Sequence, residues 1–239
     1  MHNVHLPQNI IDRLIMKRGK VEIFDSLDPA RTALVVIDMQ NAFVAHGAAL
    51  EVPVARDIVP NINELAAASR ESGAAVIWVR ITLAQSGPNA FPVYHGNFFS
   101  PDKAARHQAA LAEGSESNAL YPDLNVEPED TILDKNRFSA MVGDSSELEK
   151  ILRASGIDTI VITGTLSNIC CEATARDAMM LGFKVVFVSD GNAALSDNEH
   201  LASMITISQG FGDVRTTEET ISILQAGEAA SKRAGQAAE

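Results

Sequence analysis

Five short runs of apolar, largely β-branched residues recur along the chain. They are TALVVIDM (32–39), AAVIWVRI (74–81), DTILDK (130–135), DTIVITG (158–164) and KVVFVSD (184–190), with a weaker sixth, GDVRTT (212–217). They are apolar throughout and do not alternate, which is the pattern of strands covered on both faces. Segments with helical spacing lie between them. ARDIVPNINELAAASRESG (55–73) and DSSELEKILRASG (144–156) both stop at Gly, and the second opens on capping residues. CCEATARDAMMLGF (170–183) and DNEHLASMITISQGFG (197–212) are two more. This alternation from about residue 32 to about 225 predicts an α/β chain with a parallel sheet and helices on both faces.

No linker or repeat divides that region, so one domain is expected over residues 30–226. An N-terminal extension, 1–29, carries an amphipathic helix at 4–18 that packs on the domain. The C-terminal residues 227–239, small and polar, are expected to be a flexible tail. The segment LAQSGPNAFPVYHGNFFSPDK (83–103) reads as a long irregular loop, and its aromatics point to a functional one. The chain carries 31 acidic against 19 basic residues, a net charge of −12. A surface of that sign repels phosphate backbones and anionic lipid, which argues against nucleic-acid or membrane partners. MHNVHLPQNIIDRLIMKRGK lacks the apolar core of a signal peptide, and no run reaches the length of a membrane span. The only two cysteines, Cys170 and Cys171, are adjacent and make a poor disulfide framework. A reducing cytoplasm is therefore the expected compartment.

Ligands of open parallel sheets bind beyond the carboxyl ends of the strands. Asp38 closes the first strand, Lys135 closes TILDK, and Cys170 follows TIVIT after the short loop GTLSNI. Each has a plain structural alternative: a helix cap, a solvated surface charge and a small buried hydrophobe. Together on one rim they make a chemical set. A helix N-terminus and a nearby lysine lower a thiol's pKa, and a carboxylate can take its proton and later give it to a leaving amine. Backbone N–H groups near Cys170 can hold an oxyanion. The set fits acyl transfer from an amide to sulfur, followed by hydrolysis.

ALVVIDMQNAF, ILDKNRFSAM and VITGTLSNICCEATARDAMMLGF, in this order and spacing, resemble the isochorismatase-like cysteine hydrolases over about residues 30–225. The resemblance implies a three-layer α/β/α sandwich around a six-stranded, mostly parallel sheet. It also implies an Asp–Lys–Cys triad, which falls on Asp38, Lys135 and Cys170. The SNI pattern favours Cys170 over Cys171 as nucleophile and leaves Cys171 a packing role. A cis peptide is implied at Thr165–Leu166, turning the Leu166 N–H, with that of Cys170, toward the oxyanion. Nicotinamidases of the family carry a histidine metal site after the second strand. Here WVRITLAQSG holds none and the six histidines are scattered, so neither metal nor other cofactor is expected. The phrases DMQNAF, KNRFSAM and SNICCEATARD look most like the ureidoacrylate amidohydrolase and amidase branch.

The expected substrate is a small amide, ureide or N-carbamoyl compound. Candidates for binding it are Asn41, Phe43, Trp78, Arg80, Tyr94, His95, Arg137 and Phe138, with Arg80 placed to clamp a carboxylate. The resemblance further implies a homo-oligomer, a dimer or tetramer. Alternatives are an isochorismatase cleaving an enol ether, an interaction subunit keeping the fold without catalysis, and a redox sensor using the cysteine pair.

Overall fold

The computed structural model describes residues 1–236, with side chains through Arg233. Six strands form one sheet: β1 (Thr32–Ile37), β2 (Ala75–Ile81), β3 (Thr131–Lys135), β4 (Thr159–Thr165), β5 (Lys184–Ala193) and β6 (Asp213–Arg215). Their order is β3-β2-β1-β4-β5-β6, and every neighbouring pair is parallel. Among the described residues nine α-helices surround it: α1 (Gln8–Arg18), α2 (Asn41–Val44), α3 (Val59–Ser72), α4 (Pro92–Phe98), α5 (Pro101–Ala110), α6 (Leu148–Ala154), α7 (Glu172–Met180), α8 (Asp197–Gly210) and α9 (Thr217–Gln236).

β1 shows why these strands read as unbroken apolar runs. All six of its residues are buried. Leu34 and Val36 face a core built with Ile62 and Leu65 of α3 and Ile223 and Leu224 of α9. Ala33, Val35 and Ile37 face a second core built with Leu148 and Leu152 of α6, Ala175 and Ala178 of α7, and Ile207 of α8. The result is a three-layer α/β/α sandwich. The strand order reverses between β1 and β4, and that switch point opens a crevice at their carboxyl ends.

β4 approaches β1 closely at that end. Gly164 has φ +119°, and a Cβ there would stand 2.0 Å from the carbonyl oxygen of Ile37. Only glycine permits this approach. Helix α1 lies on α8 through buried Ile10 and Leu14, with Arg13 donating to Gln209 Oε1 and Arg18 to the Ser208 carbonyl. Farther along, the Asp213 carboxylate accepts the N–H groups of Ile23 and Phe24 at 2.7–2.8 Å.

Two expectations from sequence need correction. The 83–103 segment is not irregular throughout: Pro92 and Pro101 open α4 and α5, the position where a missing N–H does least harm. The residues expected to be a flexible tail, 227–239, continue α9 as far as Gln236; 237–239 lie outside the described residues. Alanine-rich sequence and a Lys232–Glu228 pair one turn apart support the extension. Gly227 fits where α9 crosses the Leu27 backbone, since a Cβ there would meet the Leu27 carbonyl oxygen at 1.7 Å. Among the described residues no helix is long and apolar enough to cross a membrane.

Candidate active site

Asp38 follows β1 in a left-handed backbone conformation, φ +52°. Its N–H donates to the Val79 carbonyl at 2.8 Å, and its own carbonyl accepts the Thr165 hydroxyl at 2.9 Å. The residue is thereby fixed between β2 and β4, with its carboxylate 1% exposed. Lys135 ends β3, which is separated from β1 by β2. Two strand spacings amount to about 9–10 Å, so only a long side chain can reach Asp38 from there. The Lys135 ammonium crosses the end of β2 to lie 2.8 Å from Asp38 Oδ2, and it donates to the Arg137 carbonyl at 3.0 Å. The contact with Asp38 is close without being aligned as a hydrogen bond, and neither Asp38 oxygen has another well-angled protein donor.

Cys170 lies in a five-residue π turn, Ser167–Cys171, that joins β4 to α7. The sequence placed it at the start of an α-helix; the wider turn precedes that helix, which begins at Glu172. The thiol makes side-chain contacts with both Asp38 and Lys135. Thr174 Oγ1 donates to the Cys170 carbonyl at 2.8 Å and accepts the Ala140 N–H at 3.1 Å, tying the turn to the segment after β3. The Thr165–Leu166 peptide bond is cis. Cys171 is fully buried in the second core, its Sγ 3.9 Å from the Thr163 carbonyl oxygen.

Electrostatics here differ from the sequence expectation of a thiolate. Burial pushes the Cys170 thiol up; Lys135 opposes this and Asp38 adds to it. Burial also raises the Asp38 carboxyl against the pull of Lys135. For Lys135, burial acts to lower the pKa, but attraction to Asp38 and Cys170 outweighs it and the ammonium stays charged. The resting thiol therefore keeps its proton beside a charged ammonium, and that ammonium favours the carboxylate form of Asp38 against the effect of burial. Moving the thiol proton to Asp38 leaves the site's net charge unchanged, so the fixed ammonium stabilises either arrangement.

Residues 32–219 match the isochorismatase domain family. The chain belongs to the isochorismatase family. It is 31% identical to a cysteine hydrolase from Pseudomonas syringae pv. phaseolicola, over 84% of this chain and 95% of that one, with TM-score 0.75. An isochorismatase family protein from Burkholderia thailandensis is 29% identical, over 85% and 100% of the two chains, with TM-score 0.69. N-carbamoylsarcosine amidase from Thermoplasma acidophilum is 26% identical, over 79% and 97%, with TM-score 0.64. The protein is thus an isochorismatase-like hydrolase.

In this hydrolase a cavity of about 520 Å³ is lined by Tyr94, Phe98, Phe138, Asn168, Ile169, Glu172, Ala173 and Arg176. Tyr94 lies near enough to Cys170 for a charge there to raise its phenol pKa, though burial raises it more. Tyr94 and Phe138 pack edge to face at 4.9 Å. These two, of the residues expected to bind substrate, border the cavity.

The others are engaged elsewhere. Trp78 is fully buried in the first core, on the sheet face away from Cys170, and its indole donates to Asp130 at 2.7 Å. Arg80 stands opposite Asp134 in the β2–β3 register and pairs with it at 3.0 Å, so it is not a free carboxylate clamp. Phe43 packs in the first core, and Asn41 holds the Ala119 and Glu116 carbonyls. His95 is buried, with Nδ1 2.9 Å from the Ala90 carbonyl oxygen and Nε2 3.0 Å from His107 Nδ1, joining α4 to α5. Arg137 stacks on Phe91 and donates to the Asn136 and Pro88 carbonyls.

Sequence reasoning passed over Gln40. Its amide accepts the Ile81 N–H at 2.8 Å and donates to the Ile81 and Asn118 carbonyls, closing off the end of β2 beneath Lys135. The signal was a glutamine two residues after Asp38, just past the end of an apolar strand. Asn168 was also missed, although it stands in the SNI motif. It borders the cavity with a buried, unpartnered Oδ1.

Proposed function

We propose that this chain hydrolyses the C–N bond of a small amide, ureide or N-carbamoyl substrate through a thioester at Cys170. The observation that carries this reading is a carboxylate and an ammonium from two other strand ends meeting at one buried thiol. The N-carbamoylsarcosine amidase among its structural relatives supports it.

In the reaction, Asp38 takes the thiol proton as Cys170 sulfur attacks the substrate carbonyl. Backbone N–H groups of Leu166 and Cys170 receive the oxyanion. Asp38 then returns the proton to the leaving nitrogen, the C–N bond breaks, and the acyl group stays on sulfur. A water attacks the thioester, Asp38 taking its proton and passing it to the departing sulfur, which releases an acid and restores the thiol. Lys135 stays charged throughout. The scheme calls on no metal or cofactor, because Lys135 supplies the fixed positive charge and Asp38 the proton relay.

The cavity walls support a flat, uncharged group beside the scissile bond. Arg176 is paired to Glu172 and stacks on Phe211, and Arg80 is paired to Asp134. Among the described residues lining the cavity, no cation is left over for a substrate carboxylate. The reading places the enzyme in a reducing compartment, the cytoplasm, as a dimer or tetramer.

An ammonia-release screen over ureides, carbamoyl amines and neutral carboxamides tests the reaction. A slow substrate should leave a mass shift on the Cys170 peptide. Cleavage of an enol ether that persists in Cys170→Ala and is lost in Asp38→Asn, with no ammonia released from the amide panel, would instead establish the ether-cleaving reaction for which the family is named.

A further inference from the structure

We infer that helix α8 is a positioning clamp for the nucleophile's turn, with His200 and Ser203 gripping it on both sides of Cys170. The inference rests on the reading of Cys170 as nucleophile. His200 and Ser203 are three residues apart and so share one face of α8. His200 Nδ1 lies 2.7 Å from the Ser167 hydroxyl, three residues before Cys170. The Ser203 hydroxyl donates to Glu172 Oε2, two residues after it. Ser167, His200 and Ser203 are each at most 1% exposed, while Glu172 borders the cavity.

The bond directions follow from the surroundings. His200 also contacts the backbone carbonyl of Ser189, which requires an N–H. In the tautomer that carries its proton on Nε2, Nδ1 accepts from the Ser167 hydroxyl. Burial holds the His200 pKa down to about 4, so at neutral pH this lone pair is free of a proton. Glu172 is held from its other side by Arg176, at 2.6 Å. His200 in turn is backed by His2, whose ring stacks on it at 4.5 Å with planes 13° apart. His2 accepts the Ala194 N–H at 2.9 Å and contacts Asp197 at 2.7 Å, so the backing ring is itself fixed.

Such a clamp has a use at this position. A π turn is wider than an α turn, and Cys170 is the fourth of its five residues. A misplacement of about 1 Å can reduce a rate by about 10²-fold. None of the clamp residues touches the thiol, so they act through the turn's placement and not as catalytic groups.

The test uses the full chain and reads both alkylation of Cys170 by iodoacetamide, assigned by fragment masses, and turnover. Ser167→Ala and His200→Phe should each slow alkylation and lower kcat by about tenfold, with KM within about twofold. His200→Asn, whose Oδ1 can occupy the Nδ1 position, should stay within about threefold of the parent, and Ser167→Ala/His200→Phe should be no worse than its worse single variant. If His200→Phe fails to fold, Ser167→Ala and His200→Asn decide. Ser167→Ala at the parental alkylation rate, or a folded His200→Asn as slow as Ser167→Ala, overturns the clamp. Alkylation needs no substrate, so a chain that turns nothing over but shows this pattern keeps the clamp and loses the proposed reaction.

Discussion

The ammonium of Lys135 lies 2.8 Å from Asp38 Oδ2, with both side chains almost wholly cut off from solvent. Each charge is tolerable only because of the other, and removing one strands its partner at a cost of about 3–5 kcal/mol. Lys135→Met should therefore lower unfolding free energy by about that amount, read from urea denaturation. Adding Asp38→Asn to it should recover part of the loss. Asp38→Asn alone should lower turnover by on the order of 10²–10⁴. Stability unchanged in Lys135→Met would show that the pair is not maintained in solution.

The paired cysteines should behave as unlike residues. Cys170 keeps 7% of its surface exposed and contacts both charged groups, whereas Cys171 is packed in the core with no exposed surface. Brief treatment with a small electrophile should modify Cys170 and spare Cys171, by peptide mass. Cys171→Ala should keep turnover within about twofold and cost about 1–2 kcal/mol, since it removes only a small buried group. Labelling confined to Cys171 would contradict the assignment of the nucleophile.

The fold and the meeting of Asp38, Lys135 and Cys170 were legible because both depend on local signals. A strand buried on both faces must be apolar at every position, and Asp38, Lys135 and Cys170 each end or follow such a run. The cavity lining was less legible. Trp78 and Arg80 stand near a strand end as Lys135 does, yet their direction depends on partners, Asp130 and Asp134, on another strand or the loop before it. Nothing within AAVIWVRI specifies those partners. Gln40 and the α8 clamp were missed for the same reason, since their bonds span sequence separations of 31 to 78 residues. The tail was misread because small, polar residues suggested a loose segment, whereas Gly227's lack of a side chain serves a crossing with Leu27.

Gly164 offers a sharp test of how β4 and β1 meet. A methyl group there would enter the Ile37 carbonyl oxygen, one residue before Asp38, and would also have to tolerate φ +119°. Gly164→Ala should cost more than about 4 kcal/mol or yield no soluble protein. Gly210→Ala is the control, because nothing lies within 4 Å of its Cβ position at the end of α8. It should be neutral or stabilising by about 0.4–1 kcal/mol. Equal urea midpoints for the two variants would mean that the strands do not approach as described.

Acid should weaken the fold before the carboxylates titrate. Burial is the larger cause and a neighbouring histidine the next in holding His107 and His200 each down to about 4, from an ordinary 6.5. Between those values the unfolded chain binds protons that the folded chain refuses. The unfolded state is therefore favoured progressively as pH falls from 6.5 toward 4, and stability is flat above 6.5 as far as these two groups are concerned. For His200, almost wholly buried, 2.5 units correspond to on the order of 3 kcal/mol. The half-buried His107 contributes less, because solvent screens it. Urea midpoints measured from pH 7.5 to 4 should fall across this window, and His107→Gln should reduce the slope by its share while leaving midpoints above pH 7 nearly in place. A midpoint that stays level from pH 6.5 to 4 in the parent chain would show that both histidines take up protons freely in the folded state.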